Sequence, residues 1–292
     1  MGEYKYVTMD VFTDARFGGN PLAVVLEASG LGDGEMQAIA REFNLSETTF
    51  VLPPADPAHD ARVRIFTPAA ELPFAGHPNV GTALVLAARR TTRPDRLVFE
   101  EQAGLVAITF DWSGTPQATL EAPIPLKRGV DLPAAAIAAC VGLDAADLVS
   151  EVHAPCVAGV GTDFVIAQVR PEALARAAGD LAAMRTAAAQ LPGLPIRFGV
   201  HLYVRNGDVL RTRMFAPLSG IAEDPATGSA NAALAALLLA CDGGRRLQLV
   251  IHQGVEMGRP SLLHAAARVA SEGVRVQIGG GGVEVMQGSL RT

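Results

Sequence analysis

Lysine is nearly missing from this chain. Only Lys5 and Lys127 occur among 292 residues, against twenty-two arginines. A Schiff-base or P-loop lysine would have to be one of these two. Lys5 falls in a first strand, and Lys127 follows Pro-Leu with no glycine loop. Pyridoxal-type chemistry and Walker-type phosphate binding are therefore not expected. Cysteine is scarce too: Cys140, Cys156 and Cys241 are odd in number and widely spaced, which suits reduced thiols in a cytoplasmic protein. HExxH, CxxC and GxSxG are absent, so no metal and no hydrolase elbow is expected. The longest apolar run, Ala232–Cys241, is about half the ~20 residues needed to span a bilayer, and the N-terminus lacks a secretory pattern. No basic stripe accompanies the net charge of −6, which argues against a nucleic-acid partner.

Strand-like and helix-like segments alternate. Tyr6–Phe12, Pro21–Leu26, Glu47–Leu52 and Ala61–Phe66 read as strands, and Gly34–Phe43 has helical spacing. Asn79–Arg90 is an apolar helix, and Leu97–Glu101 with Leu105–Phe110 forms a hairpin. The turn cluster Asp111–Gln117 is a candidate boundary. Beyond it, Phe198–Val204 and Val209–Phe215 pair through Asn206-Gly207, and Thr227–Cys241 is a second apolar helix. Strands follow near Leu247–His252, Ala265–Ala270, Gly273–Ile278 and Val283–Met286.

The two apolar helices open alike. HPNVGTA (77–83) and DPATGSA (224–230) share Pro, Gly and Ala at an offset of 147, about half the chain. Phe66-Thr-Pro68 parallels Phe215-Ala-Pro217 upstream. A repeat of this period implies an internal duplication of one domain rather than a solenoid. Each opening sets a glycine and a small hydroxyl residue where free N–H groups and the helix dipole favour an anion. His77 stands where the second copy has Asp224, and such a pair suits acid–base work. Glu47 lies at the mouth of a strand beside Ser46, where an apolar cleft would raise its pKa. Structural roles remain open for all three: a hydrogen bond beside Pro78, a turn or N-cap before Pro225, and a solvated surface acid. Arg259, in a polar cluster after a strand, suits either an anion or a turn.

FGGNPLAVV (17–25), NLSETTFV (44–51), FTPAAELPFAGHPNVGTA (66–83), FAPLSGIAEDPATGSANAAL (215–234) and GVEMGRPS (254–261) resemble, in order and across nearly the whole chain, the phenazine-biosynthesis PhzF-like family of diaminopimelate-epimerase-like fold. The resemblance implies an α+β protein of two similar lobes, each a β-barrel-like sheet around a central helix, with the active site in the cleft between them. We expect an N-terminal lobe over 1–114 and a C-terminal lobe over 115–278, with a last strand near 279–292 returning to the first. A homodimer, no cofactor and a small carboxylate-bearing substrate are further implications. The family's proton-shuttling glutamate falls on Glu47, its histidine on His77 and its aspartate on Asp224; Ser46, Gly76, Gly228 and Ser229 fall on substrate-binding positions. Epimerases of this fold use two cysteines, but those positions here carry Gly76 and Asp224. The expected activity is a cofactor-independent isomerase moving a proton in a cyclic amino-acid-like carboxylate. A racemase using Glu47 and Asp224 as two bases, and a non-catalytic binding protein on the same fold, are the alternatives.

Overall fold

The computed structural model describes residues 2–195 and 198–292, a mixed α+β chain in two compact units. The first comprises Met1–Glu121 with Gly279–Thr292, and the second Ala122–Ile278.

The first unit contains β1 (Glu3–Val11), β2 (Asn20–Val25), α1 (Asp33–Phe43), β3 (Glu47–Leu52), β4 (Ala61–Phe66), β5 (Glu71–Leu72), α2 (Gly76–Ala88), β6 (Arg96–Glu101), β7 (Gly104–Asp111) and β8 (Gln117–Glu121). The second contains β9 (Lys127–Asp131), α3 (Ala134–Cys140), β10 (Leu148–Val149), β11 (Cys156–Gly159), β12 (Asp163–Val169), α4 (Pro171–Leu174), α5 (Leu181–Gln190), β13 (Val200–Asn206), β14 (Val209–Ala216), β15 (Ile221–Asp224), α6 (Gly228–Asp242), β16 (Arg246–Gln253) and β17 (Ser261–Ala270). The last strand, β18 (Gly273–Arg291), starts in the second unit and ends in the first.

In the first unit eight strands close a barrel. β1 pairs antiparallel with β2, β2 parallel with β3, β3 antiparallel with β4, and β4 parallel with β6. β6, β7 and β8 follow as antiparallel neighbours, and β18 joins β8 back to β1. The second unit runs through the same sequence of pairings. β11 and β12 are antiparallel, β12 and β13 parallel, β13 and β14 antiparallel, β14 and β16 parallel, and β16 and β17 antiparallel. In each unit a short strand, β5 or β15, pairs with the strand before it and leads into the apolar helix.

Those two helices are apolar on every face, as a helix surrounded by sheet must be. Eleven of the thirteen residues of α2 are buried, and so are eleven of the fifteen in α6. α2 packs on β1, β2, β3, β7 and β8. Its approach is closest at Gly81, where a Cβ would lie 2.6 Å from Leu22 Cδ2 and 2.7 Å from Val11 Cγ2.

Some boundaries differ from the sequence reading. α2 starts at Gly76, not Asn79, so His77 sits inside the first turn. Gly273–Ile278 and Val283–Met286 are parts of one strand, with the glycines 279–282 inside it. At Gly279 close packing excludes a side chain: a Cβ there would be 2.6 Å from the Ala118 carbonyl oxygen. The turn cluster at Asp111–Gln117 contributes its ends to β7 and β8. The Ala-rich helices α3 and α5 had no sequence counterpart because they lack a clear apolar stripe.

A buried acid lies at the end of β6. Both carboxyl oxygens of Glu101 are buried with no aligned hydrogen bond among the described residues. Burial pushes this carboxyl up to about 8, and the neighbouring Asn79 side chain only partly opposes the rise.

Two expectations follow from this packing. Gly81→Ala forces a methyl against Leu22 and Val11, costing about 1–3 kcal/mol of overpacking, more than the ~1 kcal/mol gained in helix propensity. Its Tm should fall, and an unchanged or higher Tm contradicts this packing. For Glu101, the folded chain keeps a proton that the unfolded chain releases near pH 4.3. The associated stability is intact below that pH and is lost as pH rises towards about 8. Glu101→Gln should therefore match the parent near pH 4.5 and exceed it at pH 8, by up to about 1.4 kcal/mol per pH unit crossed. Urea unfolding at both pH values measures this; an equal difference at both contradicts it.

Candidate active site

In the first unit, local backbone geometry delivers Glu47. Helix α1 ends at Asn44, which takes the left-handed conformation (φ 51°) and donates its N–H to the Ala40 carbonyl. Asparagine tolerates that conformation better than most residues. The chain then reverses through Leu45 and half-buried Ser46 into β3, whose first residue is Glu47. Parallel pairing sets Glu47 opposite Leu22, one residue beyond Pro21. The Thr49 and Thr82 hydroxyls share a 2.8 Å hydrogen bond that ties β3 to α2.

This brings Glu47 to His77, with Nδ1 3.3 Å from Glu47 Oε2. Burial lowers the His77 pKa to about 3, against a hydrogen bond to the Pro21 carbonyl that raises it. The ring is neutral at physiological pH, so the contact joins an imidazole to a carboxyl group rather than two full charges. Nε2 is buried with no hydrogen-bond partner among the described residues. Because proline offers only a carbonyl, its ring partner is an N–H, which leaves the Nε2 lone pair for another donor. Gly76, buried, is the first residue of α2, whose N-cap Ala75 provides no side-chain cap. The first N–H groups of α2 therefore rely on other partners, and they suit an anionic ligand.

In the second unit, β15 ends at Asp224, which lies opposite Met214 on β14. Pro225, Ala226 and Thr227 turn into α6, whose first residues are Gly228, buried, and Ser229, half-buried. Thr227 makes no side-chain cap to α6; its hydroxyl donates instead to the buried Asp224 carboxylate. Serine or threonine capping thus explains neither helix entrance.

The structure brings Glu47, His77 and Gly76 together in the first unit and Asp224, Gly228 and Ser229 together in the second. Gln253, Asn231 and Thr227, bonded around Asp224, were not singled out from sequence. Gln253 stands one residue before the quoted GVEMGRPS segment, which was the available signal. Within that segment Glu256 pairs with Arg211, and Arg259 donates its backbone N–H to the Gly254 carbonyl. The three cysteines are unpaired, and burial raises the Cys140 and Cys156 thiols to about 11, which keeps them protonated. Among the described residues there is no cluster of three potential metal ligands and no helix long and apolar enough to cross a membrane.

Comparison with known proteins identifies the family. The family profile described as phenazine biosynthesis-like protein, PhzC-PhzF, matches residues 9–288. An uncharacterized isomerase of Mesorhizobium japonicum is 39% identical, covering 98% of each chain. The trans-2,3-dihydro-3-hydroxyanthranilate isomerase of Pseudomonas aeruginosa is 37% identical, again over 98% of each. A crystal structure of the Bacillus anthracis phenazine biosynthesis protein, PhzF family, superimposes with a TM-score of 0.89 at 25% identity over all of both chains. This chain belongs to the phenazine biosynthesis-like family and is an isomerase.

Proposed function

We propose that the chain catalyses a cofactor-independent double-bond shift in a small, cyclic, amino-acid-like carboxylate, with Glu47 as the proton carrier. Glu47 takes a proton as a carbon–hydrogen bond of the substrate breaks. The freed electron pair forms a new double bond to the neighbouring carbon, the electron pair of the original double bond moves to the far carbon, and that carbon receives the proton from Glu47. Atoms and electrons balance without an oxidant or reductant. The 3.3 Å approach of half-buried Glu47 to His77, whose ring burial keeps neutral, carries this reading, because it sets a carboxyl group beside a hydrogen-bonding imidazole where it can take and return a proton. His77, being neutral, orients the substrate through hydrogen bonds and does not act as a cation. We assign Asp224 to orienting the substrate and stabilising charge, and the backbone N–H groups at Gly228 and Ser229 to holding a carboxylate or oxygen.

The 37% identical relative named for trans-2,3-dihydro-3-hydroxyanthranilate supplies the first substrate probe. Incubated with that compound in D2O, the chain should shift its double bond and place solvent deuterium on carbon. Glu47→Gln, which keeps size but removes the base, should slow both by about 10²–10⁴-fold, the usual contribution of general acid–base catalysis. NMR of the product reads position and extent together. Undiminished exchange by Glu47→Gln overturns the assignment.

A further inference from the structure

Asp224 rests on a hydrogen-bond network whose directions can be worked out. Gln253, wholly buried at the end of β16, donates from Nε2 to the Asp224 carbonyl at 2.8 Å and to Thr227 Oγ1 at 3.1 Å. Its Oε1 accepts from Asn231 Nδ2 at 2.7 Å and from the Thr227 backbone N–H at 3.2 Å. These partners allow one amide orientation. Turning the amide over would set its oxygen against the Asp224 carbonyl and its N–H2 against the Thr227 N–H. Asn231 is anchored in turn: its Nδ2 also donates to the Thr227 carbonyl at 3.1 Å, and its Oδ1 faces His201 Nε2 at 3.0 Å.

The consequence falls on Thr227. Its hydroxyl oxygen already accepts from Gln253, and its single proton goes to Asp224 Oδ2. Two backbone groups of the turn thus fix the Gln253 amide, the amide fixes the hydroxyl, and the hydroxyl fixes the carboxylate. A second brace holds the same turn, since Ser261 Oγ donates to the Pro225 carbonyl at 2.9 Å.

We propose that Gln253 and Thr227 are positioning residues for Asp224, an amide–hydroxyl–carboxylate relay that holds its carboxylate in one rotamer as a hydrogen-bond acceptor. The inference rests on the role assigned to Asp224 above. Within the relay the Thr227 hydroxyl touches only the Asp224 carboxylate and the Gln253 amide, so its loss impairs turnover more than substrate binding.

Three near-isosteric variants test it: Thr227→Val, which removes only the hydroxyl; Thr227→Ser, which keeps it; and Gln253→Glu, which replaces the two amide donors by an acceptor. Crystal structures should show the Asp224 carboxylate leaving its rotamer in T227V and Q253E, and retaining it in T227S. In the D2O exchange assay with trans-2,3-dihydro-3-hydroxyanthranilate, T227V should lose about tenfold or more in kcat, as expected for a hydrogen bond to a charged group. Its KM should stay within about twofold, and T227S should recover most of the rate. An unmoved Asp224 in T227V overturns the relay, as does a T227S variant no better than T227V. Where Q253E fails to fold, the threonine pair decides alone. A parent protein that exchanges nothing refutes the proposed function, while the Asp224 rotamer still decides the relay.

Discussion

An apolar helix enclosed by strands must bury its first turn, and with it backbone N–H groups that no preceding turn can satisfy. This constraint governs the chemistry of both units. In α2 the buried turn carries His77 and Asn79, and the surrounding strands bring Glu47 and Glu101 to it. Water is excluded, so histidine loses its charge and Glu101 keeps its proton. Burying such groups is costly for the fold.

The two helix entrances meet the same constraint differently. At α6 the polar groups are bonded to one another: Gln253, Asn231, Thr227 and Asp224 form a connected network with few open positions. At α2, His77 Nε2 and Asn79 Oδ1 are buried without hydrogen-bond partners among the described residues. A satisfied network holds its members rigidly, while unsatisfied groups are ready to receive a ligand. The same order of strand pairings therefore supports a braced aspartate in one unit and a receptive histidine in the other.

Much of this was legible in the sequence for physical reasons. Helices apolar on all faces and flanked by turn residues announce themselves, and α2 and α6 were found to within a few residues. The related HPNVGTA and DPATGSA openings directed attention to His77 and Asp224, and the strand-mouth position directed it to Glu47. What escaped notice carries no local signal. Gln253 is a single amide ending an apolar strand, and its importance comes from partners 22 to 29 residues away. Glu101 reads as an ordinary acid before a hairpin turn; only the three-dimensional packing shows its oxygens buried. The glycines 279–282 suggested a break, yet they lie within one long strand, where Gly279 accommodates the close approach of β8 and Gly282 lies against Met9 of β1.

The claim on which the rest depends is that the imidazole beside Glu47 is uncharged. Nitrogen-15 NMR of histidine-labelled protein reads this directly, with a His77→Asn variant to assign the signal. The ring nitrogens of His77 should keep the shifts of a single neutral tautomer from pH 5 to pH 8. This follows from a pKa lowered to about 3 by burial. A titration of that signal near the ordinary histidine value, about 6.5, would mean that the ring is charged at the lower end of that range. The buried, neutral entrance described here would then be wrong.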